Sequence, residues 1–380
     1  SMTTNSDRTI GGGVIGATGF IGTPYRQELR DTQGVRIVAL CARRRDLLEQ
    51  AKIEDGAELI TSDWQEVVDH PDVDLVVVAT PDKLHLEPVL ACAESGKHLL
   101  CEKPVGADAK EARVMWEAYR DQPQLATYVP FWTRYLDMFI RAKELVAEGA
   151  IGEVRSVIYR WLNPRPPSMP LTWRDDPELS AGGSIADVGS HSYDTIRWIL
   201  GEEATQVLAH GGTISQPKPD LGSINLAEAL DWTKSDKPQS PDSRKGGTFD
   251  YANISWEFES GVTGVLMVSH ATHLRKGFAP ELELHGSKAS LGVDRMRGIV
   301  SIAQPDQLPE IVETPAEHFG NRFSKSVIPA VRTVMNGEKS DHPNLEDGYR
   351  VQAFTDAAAE SARIGHWAVS YTHLTLPTKA

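Results

Sequence analysis

The sequence predicts an α/β fold in two parts: a doubly wound parallel sheet, then an α/β domain built on a large, mostly antiparallel open sheet. Three observations carry this. The chain has 380 residues, more than one core comfortably serves. Its first 130 residues alternate short β-branched runs with helical patterns, as a parallel sheet covered on both faces requires. After Gly149 the runs become longer and alternate polar with apolar, as in an antiparallel sheet with one face packed.

In chain order, strands are expected at Val14-Ile15, Val35 to Cys41, Leu75 to Ala79, His98 to Cys101 and Leu125 to Val129. Between them "TPYRQELRD", "RRDLLEQAKIE", "LHLEPVLACAESG" and "DAKEARVMWEAYRD" carry apolar residues at helical spacing. The second part holds "EVRSVIYRWL", "YANISWEFE", "VTGVLMVSHATH" and "ELELHG" as strands, and a final helix near Leu345 to Arg363. Ser215 to Gly247, rich in Pro, Ser, Lys and Asp, reads as a long insertion or loop. The domains are placed at residues 9–130 and 131–368. Ser1 before Met2 has the look of a cloning scar, and 369–380, containing "VSYTHLTLPT", is expected to be a non-native tail.

Charge narrows the partners. Against 39 Lys+Arg stand 53 Asp+Glu, a net charge of -14, which disfavours a nucleic-acid backbone or an anionic membrane and points to a small ligand. No apolar run approaches the roughly 20 residues of a membrane span, and the polar start has no signal-peptide core. Cys41, Cys92 and Cys101 lie far apart, suggesting neither a disulfide framework nor a zinc site, and are read as reduced thiols of a cytoplasmic protein.

Two glycine patterns compete near the N-terminus. "GGGVIG" from Gly11 fits G-x-G-x-x-G literally, whereas "GATGFIG" from Gly16 follows a plausible strand and opens a helix that tolerates Pro24 in its first turn. The second is the expected phosphate cradle, where backbone N–H groups and a helix N-terminus face a pyrophosphate. Gly11 to Gly13 are expected to weaken the first strand. No carboxylate closes the second strand; Ala42-Arg43-Arg44-Arg45 follows instead, so NADP is expected ahead of NAD, unless these arginines only begin a solvated helix.

"GKHLLCEKPVG" ends a buried strand in Glu102-Lys103-Pro104. In a doubly wound sheet, ligands lie beyond the carboxyl ends of the strands, and the proline aims Lys103 there. In "GGSIADVGSHSYD" a helix over 184–200 puts Asp187, His191, Asp194 and Trp198 on one stripe and Ile185, Val188, Ile196 and Ile199 on the other face. That polar stripe is either catalytic or a solvated face.

Together "GATGFIG", "VVVATP" (76–81), "EKP" (102–104), "GAIGEV" (149–154) and "GGSIADVGSHSYD" (182–194) resemble the glucose–fructose oxidoreductase / inositol dehydrogenase / rhizopine catabolism (Gfo/Idh/MocA) family, from about Ile10 to Arg363. The resemblance implies a Rossmann domain, an open-sheet domain and a sugar or polyol site between them, with Lys103, Asp187 and His191 as catalytic residues. It implies a dinucleotide surface of Gly16, Thr18, Gly19, Phe20, Ile21, Arg43, Arg44, Thr80, Pro81, His85, Glu102 and Lys103. Arg134, Trp173, Arg174 and Asp194 are candidates for substrate contact. Either His191 or Lys103 is the base that takes the hydroxyl proton. Hydride transfer between a secondary alcohol and NADP or NAD is the expected activity, in a homodimer or homotetramer. A redox-assisted lyase or glycosidase that retains its cofactor, and a non-catalytic sensor, are the alternatives.

Overall fold

The computed structural model describes residues 7–180, 182–235, 242–315 and 319–370. Its first sheet is all parallel: β1 (Ile10–Ile15), β2 (Val35–Cys41), β3 (Leu59–Thr61), β4 (Leu75–Val78), β5 (His98–Cys101) and β6 (Thr127–Tyr128), in the order β3-β2-β1-β4-β5-β6. The helices α1 (Gly22–Arg30), α2 (Arg45–Asp55), α3 (Trp64–Asp69), α4 (Leu86–Glu94) and α5 (Ala109–Arg120) connect these strands. Strand order reverses between β1 and β4, which opens the crevice where such sheets bind ligands. β4 reads Leu-Val-Val-Val and is buried throughout, as a strand covered on both faces must be.

Gly11 to Gly13 lie inside β1, whose register with β2 shifts between Gly12 and Gly13, and a Cβ on Gly11 would sit 1.7 Å from the Asp72 carbonyl oxygen, so the strand needs glycine there. Two expectations change here. The unit β3–α3 was not expected, because a three-residue strand is too short to show alternation. The run 125–129 contributes only the two residues of β6.

The second domain starts with α6 (Asp137–Ala147) and β7 (Val154–Leu162), followed by α7 (Gly183–Leu200) and β8 (Ala204–Gly212). Next come β9 (Lys218–Pro219), α8 (Leu226–Lys234) and β10 (Ser243–Arg244), so the expected loop 215–247 contains a helix capped by the Asn225 side chain. The strands β11 (Tyr251–Phe258), β12 (Thr263–Ser269), β13 (Leu282–Gly286), β14 (Ser290–Asp294), β15 (Ile299–Ala303) and β16 (Glu310–Glu313) precede α9 (Ile328–Met335), α10 (Leu345–Ile364) and β17 (Ala368–Val369). The nine-stranded sheet runs β16-β15-β14-β13-β7-β12-β11-β8-β17, antiparallel except where β12 meets β7. Val369 and Ser370, the first residues of the expected tail, continue its edge against β8 and Thr205; 371–380 lie outside the described residues.

What positions the site is the joint between the domains. α10 packs on α5 of the first domain and on α7 and β8 of the second. Its buried Gln352 side chain accepts from Gly106 N (2.9 Å) and donates to Gly106 O (2.6 Å), which fixes the loop after β5.

Candidate active site

Beyond the carboxyl ends of β1, β2 and β4 lies a cleft of about 2020 Å³ including its open mouth, walled by both domains. The glycine loop forms its floor. Gly16 has φ +84°, and a Cβ there would stand 2.7 Å from the Ala79 backbone; a Cβ on Gly22 would stand 2.1 Å from Gly16 O. The loop and α1 therefore press together as a backbone cradle. α1 has Ile21 as its N-cap, with no side-chain cap and no acid in its first turn; Thr23 N–H donates to Gly19 O and Pro24 has no N–H, so Gly22 N–H is what its first turn offers an anion. Thr18, Gly19, Phe20, Ile21, Arg43, Arg44, Thr80 and Pro81 line the same cleft, and Thr80 Oγ1 is buried without a partner among the described residues. These groups fit a dinucleotide: a cradle for the pyrophosphate and two guanidiniums where the adenosine ribose ends. On the exposed start of α2, Arg44 also pairs with Asp46 (2.9 Å) and Arg45 with Glu49 (3.0 Å), so Arg43 is the guanidinium of the three that no carboxylate holds among the described residues.

Lys103 leaves β5 through a cis bond to Pro104 and reaches across the domain joint. Its Nζ donates to the Asp187 carbonyl oxygen and lies 3.3 Å from Asp187 Oδ1. Burial lowers the Lys103 pKa below the ordinary amine value, with Asp187 acting against the shift. Burial opposes ionisation of Asp187, but Arg174, Lys103 and His270 outweigh it and hold its carboxyl well below the usual range. One turn further along α7, His191 stacks on Trp161 (5.6 Å, 16° between planes) with Phe131 edge-on at 6.3 Å. Burial, reinforced by Lys103, pushes His191 well below its ordinary pKa, so the ring is neutral near pH 7. Its Nδ1 is buried without a partner among the described residues.

The site thus joins Lys103, Asp187 and His191 as expected but reassigns four other residues. His85 is fully buried, its ring nitrogens against Val105 O (2.9 Å) and Thr80 O (2.7 Å), so it props the cleft wall from behind. Glu102 accepts from the Tyr25 hydroxyl and its own chain neighbour's N–H, which locks the end of β5 instead of lining the cleft. Arg134 and Asp194 hold each other through two hydrogen bonds of 2.8 and 2.7 Å, beside Arg197 and Asp347, in a buried network of the second domain. Spacing placed Asp194 on the His191 stripe, but Asp194 is fully buried and faces a structural arginine, while His191 and Trp198 are only part-covered.

Trp173 and Arg174 do line the cleft, and Arg174 Nη1 lies 3.1 Å from Asp187 Oδ1. Sequence reasoning missed Arg165 and His270, 3.5 and 3.2 Å from Asp187 Oδ2. Both follow the ends of alternating strands, β7 and β12, where a basic residue after an apolar run is the available signal.

Comparison with known proteins agrees with this architecture. Residues 10–129 match the model of an oxidoreductase family with an NAD-binding Rossmann fold, and 139–292 match the GFO/IDH/MocA C-terminal domain. The chain belongs to the GFO/IDH/MocA family of oxidoreductases and is an NAD-binding enzyme of that class. It is 28% identical to a levoglucosan dehydrogenase of Pseudarthrobacter phenanthrenivorans, over 85% of this chain and 86% of that one. It is 27% identical to a myo-inositol 2-dehydrogenase of Thermotoga maritima, over 88% and 90%. A solved levoglucosan dehydrogenase in complex with NADH superposes with a TM-score of 0.81 at 25% identity, covering 95% of this chain and 99% of that one.

Proposed function

We propose that the protein oxidises a secondary alcohol of a sugar, polyol or glycoside, with NADP favoured over NAD. The carrying observation is the convergence of Lys103, Asp187 and His191 from two domains, tied to the dinucleotide cleft by Arg174, which lines it and lies 3.1 Å from Asp187. The relatives named for levoglucosan and myo-inositol dehydrogenation support the substrate class. The dinucleotide, held by the Gly16 to Ile21 cradle and by Arg43 and Arg44, supplies the hydride acceptor. With two of its three N–H groups turned to Asp187, Lys103 keeps one donor for the substrate oxygen and stabilises the developing alkoxide. Neutral His191 accepts the hydroxyl proton. Asp187 holds the ammonium in place, and Trp173 offers an aromatic face to the C–H side of a sugar ring.

Loss of a positioned acid–base group costs about 10²–10⁴-fold in rate. Lys103→Ala and His191→Ala are each expected to lower kcat by that much with dinucleotide Kd nearly unchanged; wild-type turnover in both variants removes the assignment. No helix among the described residues is long and apolar enough to cross a membrane. We place the enzyme in the cytoplasm as a homodimer or homotetramer, because β12 leaves Val265 and Met267 exposed on the sheet face opposite the helices.

A further inference from the structure

Other buried arginines among the described residues are matched. Arg295 lies 2.8 Å from Glu281, Arg26 lies 2.9 Å from Asp55, and Arg134 and Arg197 share Asp194, Glu203 and Asp347. At Asp187 the balance differs. Lys103 at 3.3 Å, Arg174 at 3.1 Å and Arg165 at 3.5 Å converge on this single carboxylate, with His270 at 3.2 Å. Three basic side chains meet one carboxylate at ion-pair distance in a largely desolvated place, which favours further anionic partners. Burial lowers both Lys103 and Arg165 from their ordinary values although Asp187 opposes the shift in both, with Glu102 acting the same way on Lys103 and Asp175 on Arg165.

Part of this cluster faces a cavity. Arg165, Arg174, Lys218 and His270 line a small pocket that shares Arg174 and Leu226 with the dinucleotide cleft and is therefore a branch of it. Asp175 and Asp250 also border the pocket; accepting backbone N–H groups, from Thr172 and from Ile214 and Ser215, does not neutralise them, so Arg165, Arg174 and Lys218 face two carboxylates there. The phosphates of a dinucleotide have their own donors at the glycine loop and at Arg43 and Arg44, whereas Arg165 and Lys218 border the branch alone. A chain of net charge -14 repels anions at long range, so attraction for one has to be built locally.

We propose that this branch receives an oxyanion of the substrate, so that the alcohol oxidised belongs to a sugar or polyol bearing a carboxylate or a phosphate. The inference rests on the dehydrogenase reading above and names its substrate class. Arg165 and Lys218 hold the anion, and Arg174 sits between it and the reacting carbon. Planar guanidiniums suit either oxyanion through paired N–H donors.

The test titrates the protein, saturated with NADPH so that no alcohol is oxidised, with D-gluconate, D-glucuronate and glucose phosphate, and with neutral D-glucose and myo-inositol. At least one anionic compound is expected to bind about tenfold or more tighter than the neutral ones. Arg165→Gln is expected to erase that preference and Arg165→Lys to retain it. A carboxylate or a phosphate preference identifies which oxyanion is taken. Equal binding of charged and neutral compounds, failure of all three anions to bind, or a preference that survives Arg165→Gln overturns the proposal. Turnover of the same compounds with NADP⁺ separates the two readings. Anion binding that depends on Arg165 without oxidation of any compound counts against the dehydrogenase and leaves the anion site standing. Neutral sugars oxidised with the higher kcat/KM overturn the anion site and keep the dehydrogenase.

Discussion

Lys103 has three N–H groups and the fold spends two of them on Asp187, so the chemistry at this residue is set by a partner from the other domain. The arginines at the end of β2 act with a simpler logic. If Arg43 and Arg44 read a 2′-phosphate, Arg43→Ala combined with Arg44→Ala weakens NADP binding about tenfold or more and leaves NAD binding nearly unchanged. An unchanged affinity ratio in calorimetry contradicts that role. A third residue lies outside the site. Burial raises Asp356 on α10 to about 7, against the Ala109 N–H it accepts from. A carboxyl raised in the fold contributes most below its unfolded pKa, near 4, and that contribution is lost as pH rises through about 7. Asp356→Asn mimics the protonated form. It is expected to raise Tm near pH 8 and to match the wild type near pH 4; a melting-temperature difference independent of pH contradicts it.

At the scale of elements, α8 carries a function that its sequence did not advertise. Ser223, Asn225, Leu226 and Glu228 bring its N-terminus to the wall of the dinucleotide cleft, opposite the loop that holds Arg43 and Arg44. Asn225 caps that end, accepting from Glu228 N at 2.9 Å. Asn225→Ala is expected to cost α8 about 1 kcal/mol. Dinucleotide Kd then rises up to about fivefold, with little change in the global Tm; an unchanged Kd shows that α8 does not close on the cofactor. Composition concealed this helix because Pro, Ser and Asp on both sides outweigh its short apolar pattern. The parallel strands were legible since strands buried on both faces read as apolar runs, and Glu102-Lys103-Pro104 was legible since a charged pair at such a strand's end is out of place in a core. The partners were not: helical spacing puts Asp187, His191 and Asp194 on one stripe, but only tertiary packing brings Lys103 to the first and Arg134 to the last. His85 and Glu102 lie near the cleft in sequence and behind it in space, a distinction that depends on which way each side chain turns.

In the whole molecule, the proposed site depends on the joint between the two domains, since Lys103 belongs to one and Asp187, His191, Arg165 and Arg174 to the other. α10 and the Gln352 bonds to Gly106 keep that joint in register. The same sheet that carries the site on its covered side exposes Met267 on the other. Met267→Glu is expected to shift the solution mass toward the monomer in light scattering; a wild type that is already monomeric contradicts assembly through this face. The central claim is net hydride transfer at the Lys103–Asp187–His191 site. Its most direct test follows reduced nicotinamide by absorbance while the ketone product is quantified, in the wild type and in Lys103→Ala, with NADP⁺ and a panel of sugars, polyols and sugar acids. One reduced nicotinamide formed per alcohol oxidised, with turnover lost in Lys103→Ala, is the predicted result. Product formed without net reduction of the nicotinamide, or equal turnover by the variant, contradicts it.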